Sequence, residues 1–165
     1  MMSEKSLLEG KKVLIVDDEL DVLESLEQLL SMCDVVTAAD YERAKNLLET
    51  RPFDIAILDI MGVSGYELLE IAKKRSVIAV MLTAHALSPG HIVKSIKGGA
   101  ASYLPKEEMA NIATYLNELL EDKGKGVKLW WRWLDRWGSY YDKKFGSDWK
   151  DDDEEFWKKI EGYPW

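Results

Sequence analysis

Five polar side chains stand directly after short apolar runs in this sequence. Asp17 and Asp18 follow Val-Leu-Ile-Val, and Asp59 follows Ile-Ala-Ile-Leu. Thr83 ends a third apolar run, and Lys106 follows Tyr-Leu-Pro. Short runs rich in Val, Ile and Leu are typical of strands that are buried on both faces of a parallel sheet. Because the carboxyl ends of parallel strands lie at one edge, we expect these five side chains to converge there.

This set of side chains favours phosphoryl chemistry that depends on a metal ion. Three neighbouring carboxylates repel one another, so a cation must join them if all three are to stay ionised. Mg²⁺ is the hard, oxygen-binding ion that most often accompanies carboxylates and phosphates. Asp59 can then act as a nucleophile that accepts a phosphoryl group. The Thr83 hydroxyl can donate to one phosphoryl oxygen, and Lys106 can pair with another.

Apolar runs alternate with amphipathic segments over the first 122 residues. Leucines at helical spacing and a possible N-cap at Asp40 mark the first two helices. Five strands that alternate with five helices predict an α/β fold with a doubly wound, five-stranded parallel sheet. The four helices with clear limits are predicted at about 19–32, 64–74, 89–97 and 107–121.

Four motifs, in this order, closely resemble the receiver domain of two-component response regulators. The motifs are Val-Asp17-Asp18-Glu, Leu-Asp59-Ile-Met, Leu-Thr83-Ala and Tyr103-Leu-Pro-Lys106. The resemblance covers about residues 10–122. It implies a flavodoxin-like sheet with strand order 2-1-3-4-5, and it makes residues 1–122 a phosphoacceptor domain.

The resemblance also implies a role for each matching residue of the site. Asp59 matches the phosphorylated aspartate, while Thr83 and Lys106 match the switch hydroxyl and the phosphate-binding lysine. Asp18 matches the direct Mg²⁺ ligand, and Asp17 matches its neighbour, which acts through water. The phosphoryl donor in the family is the phosphohistidine of a sensor histidine kinase.

Two further residues match positions near the phosphorylated aspartate. Met61 matches the residue whose backbone carbonyl completes the Mg²⁺ site, together with Asp59 itself. Tyr103 matches the aromatic residue that turns inward on phosphorylation. The segment from Asp59 to Gly65 departs from the family, because it is shorter than usual and lacks the proline that normally follows the methionine. This departure bears on how long the phosphoryl group persists.

The composition changes sharply at the segment Lys123-Gly-Lys-Gly126. All seven tryptophans lie after it. Residues 1–122 carry 12 basic and 21 acidic side chains, whereas residues 123–165 carry 10 and 9. We therefore place a domain boundary near residue 122 and predict a Trp-rich, mostly helical appendage over residues 123–165.

Aromatic residues in the appendage recur at spacings of three and four, which predicts a helix over residues 127–145. A second short helix is predicted at about 152–160. Burying one tryptophan is worth roughly 4–6 kcal/mol before entropy costs, and exposed clusters favour aggregation. The appendage must therefore pack on its own receiver, on a second copy as a homodimer, or on an unknown downstream protein.

Charge and hydropathy limit the other partners. The net charge of −8 disfavours nonspecific binding to nucleic acid or to an anionic membrane. Residues 123–165 show no basic recognition helix, so a DNA-binding domain is not expected. No apolar run approaches the roughly 20 residues that span a bilayer. Cys33 is the only cysteine and cannot form an internal disulfide. We expect a cytoplasmic protein.

Two other functions compete with that of a phosphorylated switch. A phosphatase or phosphotransferase of the haloacid dehalogenase type needs a second aspartate two residues after the nucleophile, where this sequence has Met61. A scaffold would instead keep the appendage permanently on the face formed by the fourth helix, fifth strand and fifth helix, whatever the state of Asp59. We expect no enzymatic activity except self-catalysed phosphorylation and dephosphorylation.

Overall fold

Five parallel strands form one sheet in the computed structural model, which describes residues 6–84, 89–126 and 129–162. Their bounds are β1 Lys12–Val16, β2 Asp34–Ala38, β3 Ile55–Asp59, β4 Ile78–Thr83 and β5 Ser102–Pro105. The strands lie in the order β2-β1-β3-β4-β5. This arrangement confirms the predicted fold class, the flavodoxin-like topology and the strand order.

Seven α-helices occur in the described residues, and five of them connect or follow the strands. Their bounds are α1 Leu20–Leu29, α2 Tyr41–Thr50, α3 Gly65–Lys74, α4 Pro89–Lys97, α5 Ile112–Gly124, α6 Leu129–Phe145 and α7 Glu154–Gly162. α1 contacts α5, and α2 contacts α3. Right-handed crossovers place such helix pairs on opposite faces of the sheet. Among the described helices, none has the length and apolar character required to cross a bilayer.

The centre of the sheet is buried, as its sequence predicts. All five residues of β3 are buried, and so are the four that follow Lys12 in β1. β2 lies at the edge and is mostly half-buried, in keeping with its shorter apolar run. The buried strands thus hold their carboxyl ends in fixed positions, because a close-packed core has low compressibility.

Helix limits agree with the sequence at one cap and differ from it after β5. The Asp40 side chain accepts a hydrogen bond from the Arg43 N–H at 2.8 Å, so the predicted N-cap is present. The fifth helix was expected over 107–121, but Lys106–Asn111 forms a 3₁₀ helix and α5 begins only at Ile112. None of the residues 106–111 is fully buried. Tight 3₁₀ turns of this kind are frequent at the N-terminal ends of α-helices.

The two C-terminal helices pack on their own chain. α6 contacts α5, β5 and α7, and five of the aromatic residues in this region are buried in continuity with the sheet core: Trp133, Trp137, Tyr141, Trp149 and Trp157. A 3₁₀ turn at Asp151–Asp153 precedes α7. α6 begins at Leu129, and residues 127 and 128 of the predicted helix lie outside the described residues. We call residues 129–162 the tail.

Candidate functional site

The strand register brings the predicted polar side chains to one edge of the sheet. Asp59 is the last residue of β3 and pairs with Leu82 of β4. Thr83 ends β4 and pairs with Pro105, which ends β5 and is followed by Lys106. Because all five strands are parallel, these side chains lie at the same edge of the sheet, where the strands end.

The Lys106 ammonium group joins three carboxylates at this edge. Its Nζ lies 2.7 Å from Asp17 Oδ2, 3.0 Å from Glu19 Oε1 and 3.4 Å from Asp59 Oδ1. The contact with Glu19 is a hydrogen bond, whereas the shorter contact with Asp17 is poorly directed and is ionic. Asp17 Oδ1 also accepts from the Glu19 N–H at 2.9 Å. One cation therefore faces three anions.

Burial and this charge imbalance shift the ionisation of the site. Burial, followed by the charge of Asp17, raises the pKa of Asp59 to about 6, although Lys106 opposes both effects. Burial also raises the pKa of Asp17. Burial alone would lower the pKa of Lys106, but the carboxylates of Asp17, Glu19 and Asp59 outweigh it and raise that pKa. Lys106 stays charged, and a further cation would stabilise the ionised carboxylates.

An open cleft of about 260 Å³ lies beside these groups. Since a liquid water molecule takes up about 30 Å³, the cleft has room for a phosphoryl group, an ion and several waters. Its walls combine acidic, basic and hydroxyl groups with small residues: Asp18, Glu19, Asp59, Ile60, Met61, Gly62, Thr83, Ala84 and Lys106.

The acidic residues of the cleft fit a hard divalent cation. Asp17, Asp18 and Glu19 each offer a carboxylate oxygen, and these oxygens all lie within 4.8 Å of one another. Asp18 and Asp17 both raise the pKa of Asp59, which shows that negative charge is in excess around its carboxyl group. Oxygen ligands and excess negative charge are the conditions that Mg²⁺ requires.

Two glycines let the loop after β3 close over the site. Gly62 has a φ of +85°, and a Cβ atom there would come within 2.5 Å of Asp18 Oδ2. A Cβ atom on Gly65 would overlap the backbone carbonyl oxygen of Asp59. Both positions therefore require a residue without a side chain. The short loop brings its backbone directly against two of the predicted site residues.

Comparison with known proteins assigns the chain to a family. A model described as the response regulator receiver domain matches residues 13–117, which is more than half of the chain. The chain belongs to the response regulator receiver family. Its fold is that of a receiver, and the resemblance read from the four motifs is confirmed.

Curated relatives of this receiver are longer proteins. The two-component response regulator ARR12 of Arabidopsis thaliana is 34% identical over 128 residues, covering 71% of this chain and 21% of the relative. The probable transcriptional regulator ycf27 of Guillardia theta is 42% identical over 119 residues, covering 64% of this chain and 45% of the relative. The matched segment thus spans less than half of the length of either relative.

Solved receiver structures match most of the chain. The CheY-like response regulator receiver domain protein from Methanospirillum hungatei JF-1 has a TM-score of 0.62 and 29% identity, covering 70% of this chain and 98% of that one. The BeF3-activated receiver domain of DrrB, a Thermotoga maritima protein, has a TM-score of 0.60 and 25% identity, covering 68% and 98%. Both likenesses extend over nearly the whole of the other chain.

Tyr103 lies between the receiver site and the tail. It faces Met81 across the β4–β5 ladder, so Thr83, two residues beyond Met81, is on the same side of the sheet. Burial raises the pKa of Tyr103 above its usual range, while the nearby Thr83 side chain opposes that rise. Tyr103 is fully buried under Trp133 and Tyr141 of the tail.

The structure brings together the predicted site residues and adds others that the sequence reasoning missed. Asp18, Asp59, Met61, Thr83 and Lys106 all line the cleft. Asp17 is fully buried below it and contacts Lys106. Glu19 is not among the predicted site residues, yet it binds Lys106, and its position directly after Asp17 and Asp18 was the available signal. The contact of Trp133 and Tyr141 with Tyr103 had no local signal in the sequence.

Proposed function

We propose that this receiver accepts a phosphoryl group on Asp59 from the phosphohistidine of a sensor histidine kinase. A carboxylate oxygen of Asp59 attacks phosphorus and forms a P–O bond. The P–N bond breaks, and the imidazole nitrogen keeps the electron pair and takes a proton from solvent. The product is an aspartyl phosphate, which the same site hydrolyses with water.

The observation that carries this proposal is the 3.4 Å separation of Lys106 Nζ and Asp59 Oδ1 at the open cleft. The ammonium group can hold an oxygen of a phosphoryl group on Asp59 without leaving its place. The Thr83 hydroxyl ends the neighbouring strand and can donate to a second phosphoryl oxygen. Positioned charges and donors of this kind are the main source of catalysis in phosphoryl transfer.

The acidic residues of the cleft would hold the magnesium ion. Asp18, Asp59 and the backbone carbonyl of Met61 would be its protein ligands, and Asp17 would act on it through water. Mg²⁺, when bound, neutralises the negative charge of the phosphoryl oxygens. Asp17 in addition fixes Lys106 through their 2.7 Å contact, so that the ammonium group stays directed towards Asp59.

The rest of the chain would carry the signal. In this proposal, residues 1–122 form the phosphoacceptor domain and residues 123–165 form an appendage without enzymatic activity. The output passes through the face formed by α4, β5 and α5, or through the tail, to a downstream protein or to a second copy. The BeF3-activated state named for the DrrB receiver supports a comparable activated state here. The proposed site of action is the cytoplasm.

Acetyl phosphate tests the phosphoacceptor role without knowledge of the kinase. With Mg²⁺ present, intact mass spectrometry should show one added phosphoryl group on the wild type and none on Asp59→Asn. Asp54→Asn is the matched control, because Asp54 precedes the other end of β3 and accepts a hydrogen bond from the Lys12 N–H at 2.9 Å. A wild type that gains no mass, or an Asp59→Asn variant that gains it equally, would contradict the proposal.

A scaffold that ignores phosphorylation is the second candidate. It is favoured by one observation, the burial of Trp133, Trp137 and Tyr141 of the tail against the rest of the chain. This function predicts the same hydrodynamic radius and the same amide exchange in α6 with and without phosphoryl transfer. A change in either property on phosphorylation would exclude it.

A further inference from the structure

The three carboxylates around Lys106 differ in how freely they can move. The side chain of Asp17 is 0% exposed and that of Asp59 is 7% exposed, whereas that of Glu19 is 58% exposed. Asp17 is enclosed below the cleft, and Asp59 would itself carry the phosphoryl group. Glu19 is therefore the partner of Lys106 that can turn into solvent when another anion approaches the ammonium group.

The backbone of Glu19 is fixed, but its side chain is not used to build the helix. Its N–H donates to Asp17 Oδ1 at 2.9 Å, and its carbonyl oxygen accepts from the N–H groups of Val22 and Leu23 at 3.1 Å and 3.2 Å. Glu19 stands at the N-cap of α1, yet among the residues that the structure describes its side chain makes no capping hydrogen bond. Its carboxylate instead accepts from Lys106 Nζ at 3.0 Å.

Glu19 takes up a donor that a phosphoryl group would need. An ammonium group has three N–H donors, and that of Lys106 faces three carboxylates. Glu19 also lines the open cleft in which a phosphoryl group on Asp59 would lie. A phosphoryl oxygen can gain a donor only where a carboxylate gives one up, and Glu19 is the carboxylate that is able to do so.

The charge of Glu19 acts in opposite directions on a cation and on a phosphoryl group. Carboxylate oxygens of Asp17, Asp18 and Glu19 all lie within 4.8 Å of one another, so Glu19 adds to the negative charge that attracts Mg²⁺. A phosphoryl group brings negative charge of its own, and like charges at this spacing repel each other. The effect of Glu19 on the phosphoryl group must therefore be measured with the Mg²⁺ site saturated.

We propose that Glu19 is a positioning residue that holds Lys106 in the unphosphorylated receiver and competes with the phosphoryl group for it. This inference rests on the proposed function. While Asp59 is unmodified, Glu19 and Asp17 together keep the ammonium group at the cleft. When a phosphoryl group arrives, the Glu19 carboxylate turns into solvent and a phosphoryl oxygen takes its place on Lys106. Glu19 thereby raises the concentration of phosphoryl donor that the receiver requires.

Glu19→Gln tests this competition, because it removes the charge and keeps the length of the side chain and an acceptor oxygen. Two quantities should be measured with Mg²⁺ saturating for each variant. One is the affinity for BeF3, which resembles a phosphoryl group in shape, by calorimetric titration. The other is the initial rate of uptake from acetyl phosphate, by intact mass spectrometry. We expect both to increase about threefold to fivefold, the size of one exposed ion pair.

Glu24→Gln is the matched control for the change in net charge. Glu24 is exposed on the same helix, five residues further along the chain, which is about 7.5 Å along the helix axis. It should bind BeF3 and take up phosphoryl groups as the wild type does. An equal increase in Glu24→Gln would show a general effect of charge and would overturn the competition.

The double variant of Glu19→Gln and Lys106→Gln separates competition for Lys106 from simple repulsion. Without the ammonium group there is nothing for Glu19 to compete for, so adding Glu19→Gln to Lys106→Gln should change the uptake rate by less than about twofold. If the full increase persists in the absence of Lys106, Glu19 does not act through this lysine, and the inference is wrong.

The outcomes distinguish this inference from the proposed function. A wild type that gains a phosphoryl group, beside a Glu19→Gln variant that gains it at the same rate or more slowly, would overturn the competition and leave the proposed function intact. A wild type that gains no phosphoryl group would remove the proposed function, and this inference with it.

Discussion

At the scale of single residues, the site is governed by one ammonium group shared among three carboxylates. Lys106 lies within 3.4 Å of Asp17, Glu19 and Asp59. Burial, and after it the charge of Asp17, raises the pKa of Asp59, and Lys106 only partly offsets these two effects. The buried carboxylates therefore lower the folding stability, and the same carboxylates can attract a cation and then a phosphoryl group.

The charge of Asp59 should make the wild type less stable than its amide variant at neutral pH. The pKa of Asp59 is about 6 in the folded chain, above its ordinary value of 3.8, so the folded state binds more protons between these values. Stability then falls as pH rises through this window and is level above it. Without divalent cations, Asp59→Asn should raise the free energy of unfolding at pH 7.5 by about 2–3 kcal/mol.

Urea unfolding followed by circular dichroism would measure this difference. The advantage of Asp59→Asn should shrink as pH falls from 6 towards 4, because the carboxyl group becomes protonated in the folded state over this range. Asp54→Asn serves as the control and should differ little from the wild type at either pH. An Asp59→Asn variant that is less stable than the wild type at pH 7.5 would contradict the ionisation described here.

Removing the Lys106 ammonium group should slow phosphoryl transfer without abolishing the acceptor. In Lys106→Gln, the phosphoryl oxygens lose their positioned cation, and we expect the rate of acetyl phosphate uptake to fall about 10²-fold. Lys74→Gln is the control, since Lys74 is exposed on α3 and pairs with Glu70 at 3.6 Å, away from the cleft. Equal rates for Lys106→Gln and the wild type in a mass-spectrometric time course would disprove this role.

At the scale of elements, the loop between β3 and α3 determines how closely backbone approaches the metal ligands. Gly62→Ala combines a positive φ with a Cβ atom 2.5 Å from Asp18 Oδ2, so Asp18 must move. We expect the dissociation constant for Mg²⁺ to rise about tenfold, which corresponds to about 1.4 kcal/mol. Calorimetric titration would measure it.

Gly10→Ala separates this displacement from backbone strain. Gly10 has a similar φ of +76°, but a Cβ atom there would meet nothing within 4 Å. Both variants should lose about 1–2 kcal/mol of stability through the left-handed backbone. Only Gly62→Ala should bind Mg²⁺ more weakly. If both variants bind it as the wild type does, Asp18 does not hold the ion.

The edge strand β5 is one of the elements on which the tail packs. Trp133→Phe keeps an aromatic ring but leaves the buried Tyr103 carbonyl without its indole donor, which should cost about 1–2 kcal/mol of stability. Trp130→Phe removes a similar bond at Ala100 and should cost a similar amount of stability. Urea unfolding would measure both losses, and a Trp133→Phe variant as stable as the wild type would contradict this role of the indole.

The elements differ in how far their sequence determines them. The β3 run Ile-Ala-Ile-Leu is buried throughout and was identifiable from its residue types alone. The 3₁₀ helix at Lys106–Asn111 could not be identified in this way, because Lys106 is held at the sheet edge by carboxylates from distant segments. The aromatic spacing of α6 predicted a helix, but the face on which it docks depends on long-range contacts such as Trp133 with Tyr103.

At the scale of the whole molecule, the tail of this receiver packs on the face formed by α4, β5 and α5. The family match ends at residue 117, and the tail continues the core beyond it through Trp133, Trp137 and Tyr141. The predicted boundary near residue 122 falls inside α5, which ends at Gly124, so the division into two domains stays a proposal. Tyr103 of β5 is one place where the receiver contacts the tail, through its ring contacts with Trp133 and Tyr141.

Mapping the phosphoryl group to a residue tests the central claim most directly. After reaction with acetyl phosphate and Mg²⁺, borohydride reduces an aspartyl phosphate to homoserine, which peptide mass spectrometry can locate in the chain. We predict homoserine at position 59 and at no other aspartate, with none when Mg²⁺ is removed by a chelator. Modification at a different aspartate, or none at position 59 with Mg²⁺ present, would contradict the account.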